Sequence, residues 1–273
     1  RDPGQTEKED IGNRFPCSCK RRCDYCSGEC RTPHRLLTAL TVQTMCKNKA
    51  AQVSAIHVLQ AGAMTKGELG EELSDIAGMA AAGVPVLSED GKSVMKASLC
   101  KQAMEEAVKA GLPIFDHCED MSLRGNGCMN EDENAKRLGL PGICNSTEDT
   151  IAARDSLLAI ETGAKLHLCH CSTKGVAIMM KMLKAEGVEN VTAEVCPHHF
   201  ILTSDDIERD DPNYKMNPPL RTRKDVDALI EGLKEGYIQV ISTDHAPHTQ
   251  KRQNRFHENR SFRNCGNRDK LCT

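Results

Sequence analysis

Residues 241–248 read Ile-Ser-Thr-Asp-His-Ala-Pro-His. A run over 237–242 has the apolar, β-branched character of a strand; Asp244 follows it, then His245 and His248. A carboxylate at the carboxyl end of a strand stands at the rim of a sheet or barrel, where it can touch a metal ion or take a proton from a bound water. An aspartate in that place also serves as a helix cap or turn residue, so the rest of the chain must choose between the two.

Upstream, the pattern stays regular from Ala50 onward. Hydrophobic periodicity predicts strands over 54–61, 84–87, 112–115, 165–169, 191–195 and 237–242. It predicts helices between them over 68–82, 94–110, 150–162, 175–186 and 224–235. Alternation of this kind makes a parallel sheet with helical crossovers. Asp90, His117, His170 and Asp244 each follow a different strand. An open doubly wound sheet gathers ligands only at its switch point, whereas a closed barrel brings every strand end to one mouth. The expected architecture is therefore α/β, a (β/α)8 TIM-type metal-dependent hydrolase barrel occupying residues 1–273 as a single domain.

Two imidazoles and two carboxylates at one mouth suit a divalent transition metal, zinc above all. Such an ion activates water at neutral pH and polarises a carbonyl, which points to hydrolysis of an amide-like bond. Each residue has an ordinary reading too: His117 and His170 as strand-end histidines, Asp90 as a turn aspartate in Glu-Asp-Gly. His167, His198 and His199 are read as structural or supporting.

Composition narrows the function classes. A net charge of −3 over 273 residues gives no broad basic field, so nucleic acid is not an expected partner. No apolar run reaches membrane-spanning length and no signal segment opens the sequence, so a soluble, cytoplasmic protein is expected. Of the 15 cysteines, Cys17, Cys19, Cys23, Cys26, Cys30 and Cys46 crowd the first fifth, and Cys265 and Cys272 close the chain. The seven between are expected to be reduced thiols. Cys23-x-x-Cys26 with Cys30 has the spacing of a zinc knuckle but lacks the paired second half of such motifs.

The stretches RDPGQTEKEDI, SEDG, DHCEDMSL, HLCHCSTKG, TAEVCPHHFILT, YKMNPPLR and ISTDHAPHT, in this order along nearly the whole chain, resemble the dihydroorotases of the amidohydrolase superfamily, in the bacterial type whose bridging ligand is an aspartate. The resemblance implies reversible hydrolysis of (S)-dihydroorotate to N-carbamoyl-L-aspartate in de novo pyrimidine (UMP) biosynthesis, with two zinc ions. It implies Asp90 as the bridging carboxylate, His117 and His170 as ligands of the second zinc, and Asp244 as a ligand of the first that serves as general base and then acid. Arg1, Asn217 and His248 resemble substrate-binding residues, Arg1 as the bidentate grip on a carboxylate. Glu89 stands where the family often has a second acid. Hydantoinase and allantoinase relatives, which usually bridge with a modified lysine, are the enzyme alternative. An inactive barrel serving as a scaffold for aspartate transcarbamoylase is the non-enzyme one. A homodimer is also compatible with the resemblance.

Two departures stand out. The family's His-x-His pair lies just ahead of the arginine at which this sequence begins, so the barrel is expected to be incomplete at both ends and the literal chain inactive. The family's MPNT and APFG segments are replaced by cysteine-rich and arginine-rich sequence. Both odd segments read as the same gene in another frame. In permitted codons, residues 251–272 give KDKIDFMKTAPFGIAGIETSFA, residues 13–27 give TGSRAAAKGGVTIVA, and the string from residue 29 gives MPNTPPVIDSPDSADYVQKQ. Residues 12–49 and 251–273 are therefore expected to be out of frame, and eight of the 15 cysteines fall in them.

Overall fold

The computed structural model describes residues 25–28, 48, 51–52, 57–89 and 91–245. Arg1, Asp90 and His248 lie outside the described residues, as do most of 12–49 and all of 251–273. The chain divides into two compact units, Arg1–Asp116 with Glu161–Lys165, and His117–Ile160 with Leu166–Thr273.

In the first unit, β1 (Tyr25–Gly28) pairs in parallel with β2 (His57–Gln60). No element was expected at 25–28, within the cysteine-rich stretch. Strands β3 (Gly62–Ala63), β4 (Leu87–Ser88) and β5 (Ile114–Asp116) pair in parallel, Gly62 opposite Leu87 and Leu87 opposite Ile114. Helix α1 (Ile76–Ala81) joins β3 to β4, and α2 (Ala97–Ala110) joins β4 to β5. Leu99, Cys100, Ala103, Met104 and Ala107 recur at helical spacing, and all are buried, so α2 has one apolar face. Burying Leu99 and Met104 contributes roughly 1.5–3 kcal/mol each. Gly111, at φ 70°, ends the helix in the left-handed conformation that glycine adopts without strain.

The helix expected over 68–82 is shorter than its pattern suggested. Gly67, Glu68 and Gly70 all take positive φ, and Thr65 bridges Leu73, so the backbone turns before α1 begins. Asp75 then caps α1, its carboxylate accepting from the Gly78 N–H at 2.9 Å.

The second unit carries β8 (Leu166–Leu168), β9 (Val191–Val195) and β10 (Val240–Ile241), parallel throughout, with Leu166 opposite Val191 and Val240 opposite Glu194. It also holds a two-stranded parallel pair, β6 (Met129–Asn130) with β7 (Gly142–Ile143), beside two short helices, α3 (Met121–Arg124) and α4 (Glu133–Leu138). Its longer helices are α5 (Ser146–Thr162), α6 (Lys174–Ala185) and α8 (Arg223–Glu235), with the short α7 (Pro197–Ile201) after β9. Helix α8 packs on α6. A capping box starts α8: the Thr222 N–H donates to Asp225 at 3.1 Å. The other oxygen of Asp225 accepts from the Lys174 N–H at 3.0 Å and Asn145 Nδ2 at 2.9 Å, tying α8 to the start of α6.

The strand expected over 237–242 is shorter because Tyr237 and Ile238 turn back on the helix before it. Both donate their N–H to the Gly232 carbonyl at 3.0 Å. A Cβ at Gly232 would meet Ile238 Cδ1 at 2.7 Å, so this close approach requires glycine. None of the seven cysteines in the regular part, from Cys100 to Cys196, is in a disulfide. Among the described residues no helix is long and apolar enough to cross a membrane.

Candidate functional site

His117 comes one residue after β5, His170 two after β8, and Asp244 three after β10. His117 and His170 meet. Their side chains are buried, with His117 Nδ1 2.9 Å from His170 Nε2 and the rings edge to face at 75°. The backbone at His170 (φ 39°) and at Asp244 (φ 43°) is left-handed, a conformation costly for any residue with a Cβ and concentrated at functional sites. Two of the candidate ligands thus occupy strained positions.

Glu119, two residues beyond His117, gathers the rest. Its Oε2 lies 3.3 Å from His117 Nε2, and its Oε1 accepts from Asn217 Nδ2 at 3.0 Å and faces Arg124 Nε at 2.9 Å. Asn217 Nδ2 is also 3.3 Å from His117 Nε2. Burial alone would raise the Glu119 carboxyl, but His117, Arg124 and Asn217 outweigh it and hold it below the ordinary glutamate range. Glu194 plays a parallel part on β9. It receives the His170 backbone N–H at 3.2 Å and sits 3.2 Å from His167 Nε2, while His167 Nδ1 contacts Thr192 Oγ1 at 2.8 Å. Burial opposes ionisation of Glu194 too, and its bond from His167 with the charges of His170 and His167 lowers it nonetheless.

Of the residues picked from sequence, the structure therefore brings together His117, His170 and Asn217. Asp90, Arg1 and His248 lie outside the described residues. Glu89, next to Asp90, is buried, its carboxylate taking the Thr65 N–H at 3.0 Å and the Thr65 hydroxyl; burial raises its pKa, and Thr65 offsets part of that.

Among the described residues, the group of three donor atoms lying within 4.8 Å of one another is a different one, Cys196, His198 and His199, at the start of α7. This group could hold a metal ion. All three side chains are buried. Burial pushes the Cys196 thiol well up, and the charges of Asp244 and Glu194 push it further. His199 Nε2 lies 2.9 Å from the Pro218 carbonyl and so carries its proton there, leaving a buried Nδ1 with a bare lone pair. The His117–His170 pair also fits a metal, since imidazole nitrogens of two rings face each other across 2.9 Å beside buried carboxylates.

Glu119 and Glu194 escaped the sequence reading. The only signal for the first was an acid two residues past a strand-end histidine, in Asp-His-Cys-Glu.

The profile of the dihydro-orotase-like family matches residues 36–176, just over half of the chain. The chain belongs to that family. A dihydroorotase from Caldicellulosiruptor saccharolyticus is 44% identical over 258 residues, covering 93% of this chain and 59% of the relative. One from Caldanaerobacter subterraneus is 48% identical over 203 residues, covering 74% and 47%. The chain thus spans about 60% or less of the curated relatives it matches. Among solved structures, a D-hydantoinase from Thermus sp. superposes with a TM-score of 0.71 at 22% identity, over 90% of this chain and 55% of that one. A Saccharomyces cerevisiae dihydroorotase in complex with 5-fluoroorotic acid gives 0.64 at 15%, over 82% and 62%. These likenesses show the fold. The dihydroorotase-like chain is an incomplete (β/α)8 amidohydrolase barrel, as the strand and helix alternation predicted.

Proposed function

We propose that this chain is the larger part of a zinc-dependent cyclic amidohydrolase that interconverts (S)-dihydroorotate and N-carbamoyl-L-aspartate in cytoplasmic de novo pyrimidine biosynthesis. The observation that carries the reading is the buried meeting of His117 and His170, the ends of two strand-to-loop transitions within the family-matched residues. In this proposal His117, His170 and Asp90 hold one zinc, and Asp90 and Asp244 belong to the other. A zinc pair supplies Lewis acidity and lowers the pKa of water. Asp244 takes the proton of the attacking water and returns it to the leaving ring nitrogen. Asn217, with Arg1 and His248, holds the substrate, and its amide is pre-oriented because Nδ2 is bound to Glu119.

The test is steady-state hydrolysis of dihydroorotate, hydantoin and allantoin side by side, by the chain extended to the length of its relatives. Preference for dihydroorotate, lost on zinc removal and in Asp244→Asn, supports the proposal. Preference for hydantoin or allantoin overturns it. A homodimer or an association with aspartate transcarbamoylase is a separate part of the proposal, read by light scattering with and without that partner. The single-domain reading of 1–273, with 12–49 and 251–273 out of frame, goes with it; resequencing the gene across codons 1–60 and beyond 240 tests it.

A further inference from the structure

We infer that Glu119 is a positioning residue that selects the proton position of His117, so that one buried carboxylate sets both a metal ligand and the substrate-facing amide of Asn217. The inference rests on the proposed function for the roles of His117 and Asn217, but its geometry stands alone. His117 has two ring nitrogens, and a neutral imidazole carries its proton on one of them. Nδ1 faces His170 Nε2 at 2.9 Å, and Nε2 lies 3.3 Å both from Glu119 Oε2 and from Asn217 Nδ2. Asn217 alone would favour a bare Nε2, because its amide is a donor. An ionised carboxylate only accepts, so it requires the proton on Nε2 and leaves Nδ1 with its lone pair turned to His170.

Glu119 can do this because Asn217 donates to it and the Arg124 cation pairs with it, both favouring the ionised, accept-only carboxylate. Oε1 accepts from Asn217 at 3.0 Å and forms an ion pair with Arg124 Nε at 2.9 Å, and Oε2 remains for His117. A glutamine in its place has one acceptor oxygen. Turned to satisfy Asn217 and Arg124, it would point its NH2 at His117 Nε2 and drive the proton to Nδ1, where it blocks the ligand lone pair. Glu119→Gln thus reverses the tautomer while nearly preserving shape.

The experiment measures zinc affinity of the whole chain by competition with a chromophoric chelator, for the wild type, Glu119→Gln and Asn217→Ala. Long-range 1H–15N spectra of the metal-free protein report the His117 tautomer. The expected result is the Nε2–H form in the wild type, the Nδ1–H form in Glu119→Gln, and zinc binding weakened about 10–100-fold in that variant. Asn217→Ala keeps the wild-type tautomer and affinity. An Nδ1–H His117 in the wild type overturns the inference, even if Glu119→Gln fails to fold; so does unchanged affinity in a folded Glu119→Gln. Neither readout uses substrate, so lack of activity on dihydroorotate would count against the proposed function and leave this result intact.

Discussion

His117 Nδ1 and His170 Nε2 face each other at 2.9 Å with ring centroids 4.7 Å apart. Two neutral imidazole nitrogens at that distance repel unless a proton or a cation lies between them. The carboxylate of Glu119 holds the His117 ring from behind, and Glu194 anchors the backbone N–H of His170.

Zinc should therefore stabilise the protein through this pair. At free zinc about 100 times its Kd the gain is about 2.7 kcal/mol, which for a chain of this size raises Tm by roughly 5–10 °C. Thermal melts with zinc and with excess chelator check this. His117→Ala and His170→Ala should each remove the shift; an undiminished shift in both would place the ion elsewhere, with the Cys196, His198 and His199 group the next place to look.

The parts of this arrangement that sequence showed, and the parts it hid, follow from how each is encoded. Strand β9 lies at the residues predicted, Val191–Val195, because a β-branched run flanked by turn residues specifies a buried strand locally. His117, His170 and Asp244 were visible because each stands just past such a run. The elements β6, α4 and β7 were not, since elements of two to six residues carry too little of a period; Met129 of β6 and Ala135 of α4 are held instead by a tertiary cluster with Ile207, Met216 and Leu220. The partners Glu119, Glu194 and Arg221 were hidden for the same reason: a carboxylate or guanidinium reads as a solvated charge until its contacts are known.

Backbone strain gives a second prediction. Asp244 at φ 43° pays a conformational cost of about 1–3 kcal/mol that asparagine or glycine reduces. Asp244→Asn and Asp244→Gly should unfold at the same temperature as the wild type or higher. Hydrolysis in the extended chain should fall at least about 100-fold, the share expected of a general base. A large loss of stability in Asp244→Gly would show that the carboxylate has a structural role the strain does not reveal.

Arg221 is a buried pin. Its Nε donates to Ser172 Oγ at 3.0 Å, and its Nη1 to Asn130 Oδ1 at 3.1 Å and the Ile143 carbonyl at 2.8 Å, with Glu148 Oε2 3.8 Å from Nη2. Burial raises the Glu148 carboxyl, and the Arg221 charge with two bonds from Ser172 offsets part of that. Arg221→Met strands Glu148 without its countercharge and should cost about 3–5 kcal/mol in urea denaturation. Adding Glu148→Met should recover a good part of the loss, since an apolar pair leaves no buried charge. Full additivity of the two losses would argue that they do not act as a pair.

Acid sensitivity follows from the histidines at the start of α7. Burial lowers His198 from 6.5 to about 4, and burial together with the charge of His198 lowers His199 well below its ordinary value. The unfolded chain therefore takes up protons at a pH where the folded chain does not. Stability from His198 is whole above pH 6.5 and is lost as pH falls from there toward 4, a change of roughly 3 kcal/mol. The lowered carboxyls Glu119 and Glu194 act in the same direction but lower, once pH falls through the glutamate range near 4.5. Urea midpoints should thus begin to fall between pH 6.5 and 5, before any carboxylate effect. His198→Gln should make that upper part of the curve shallower, with the share of His199 remaining, and leave the acid end alone. A midpoint that holds steady from pH 7.5 to 5 in the wild type would mean that these two imidazoles are solvated in the folded protein.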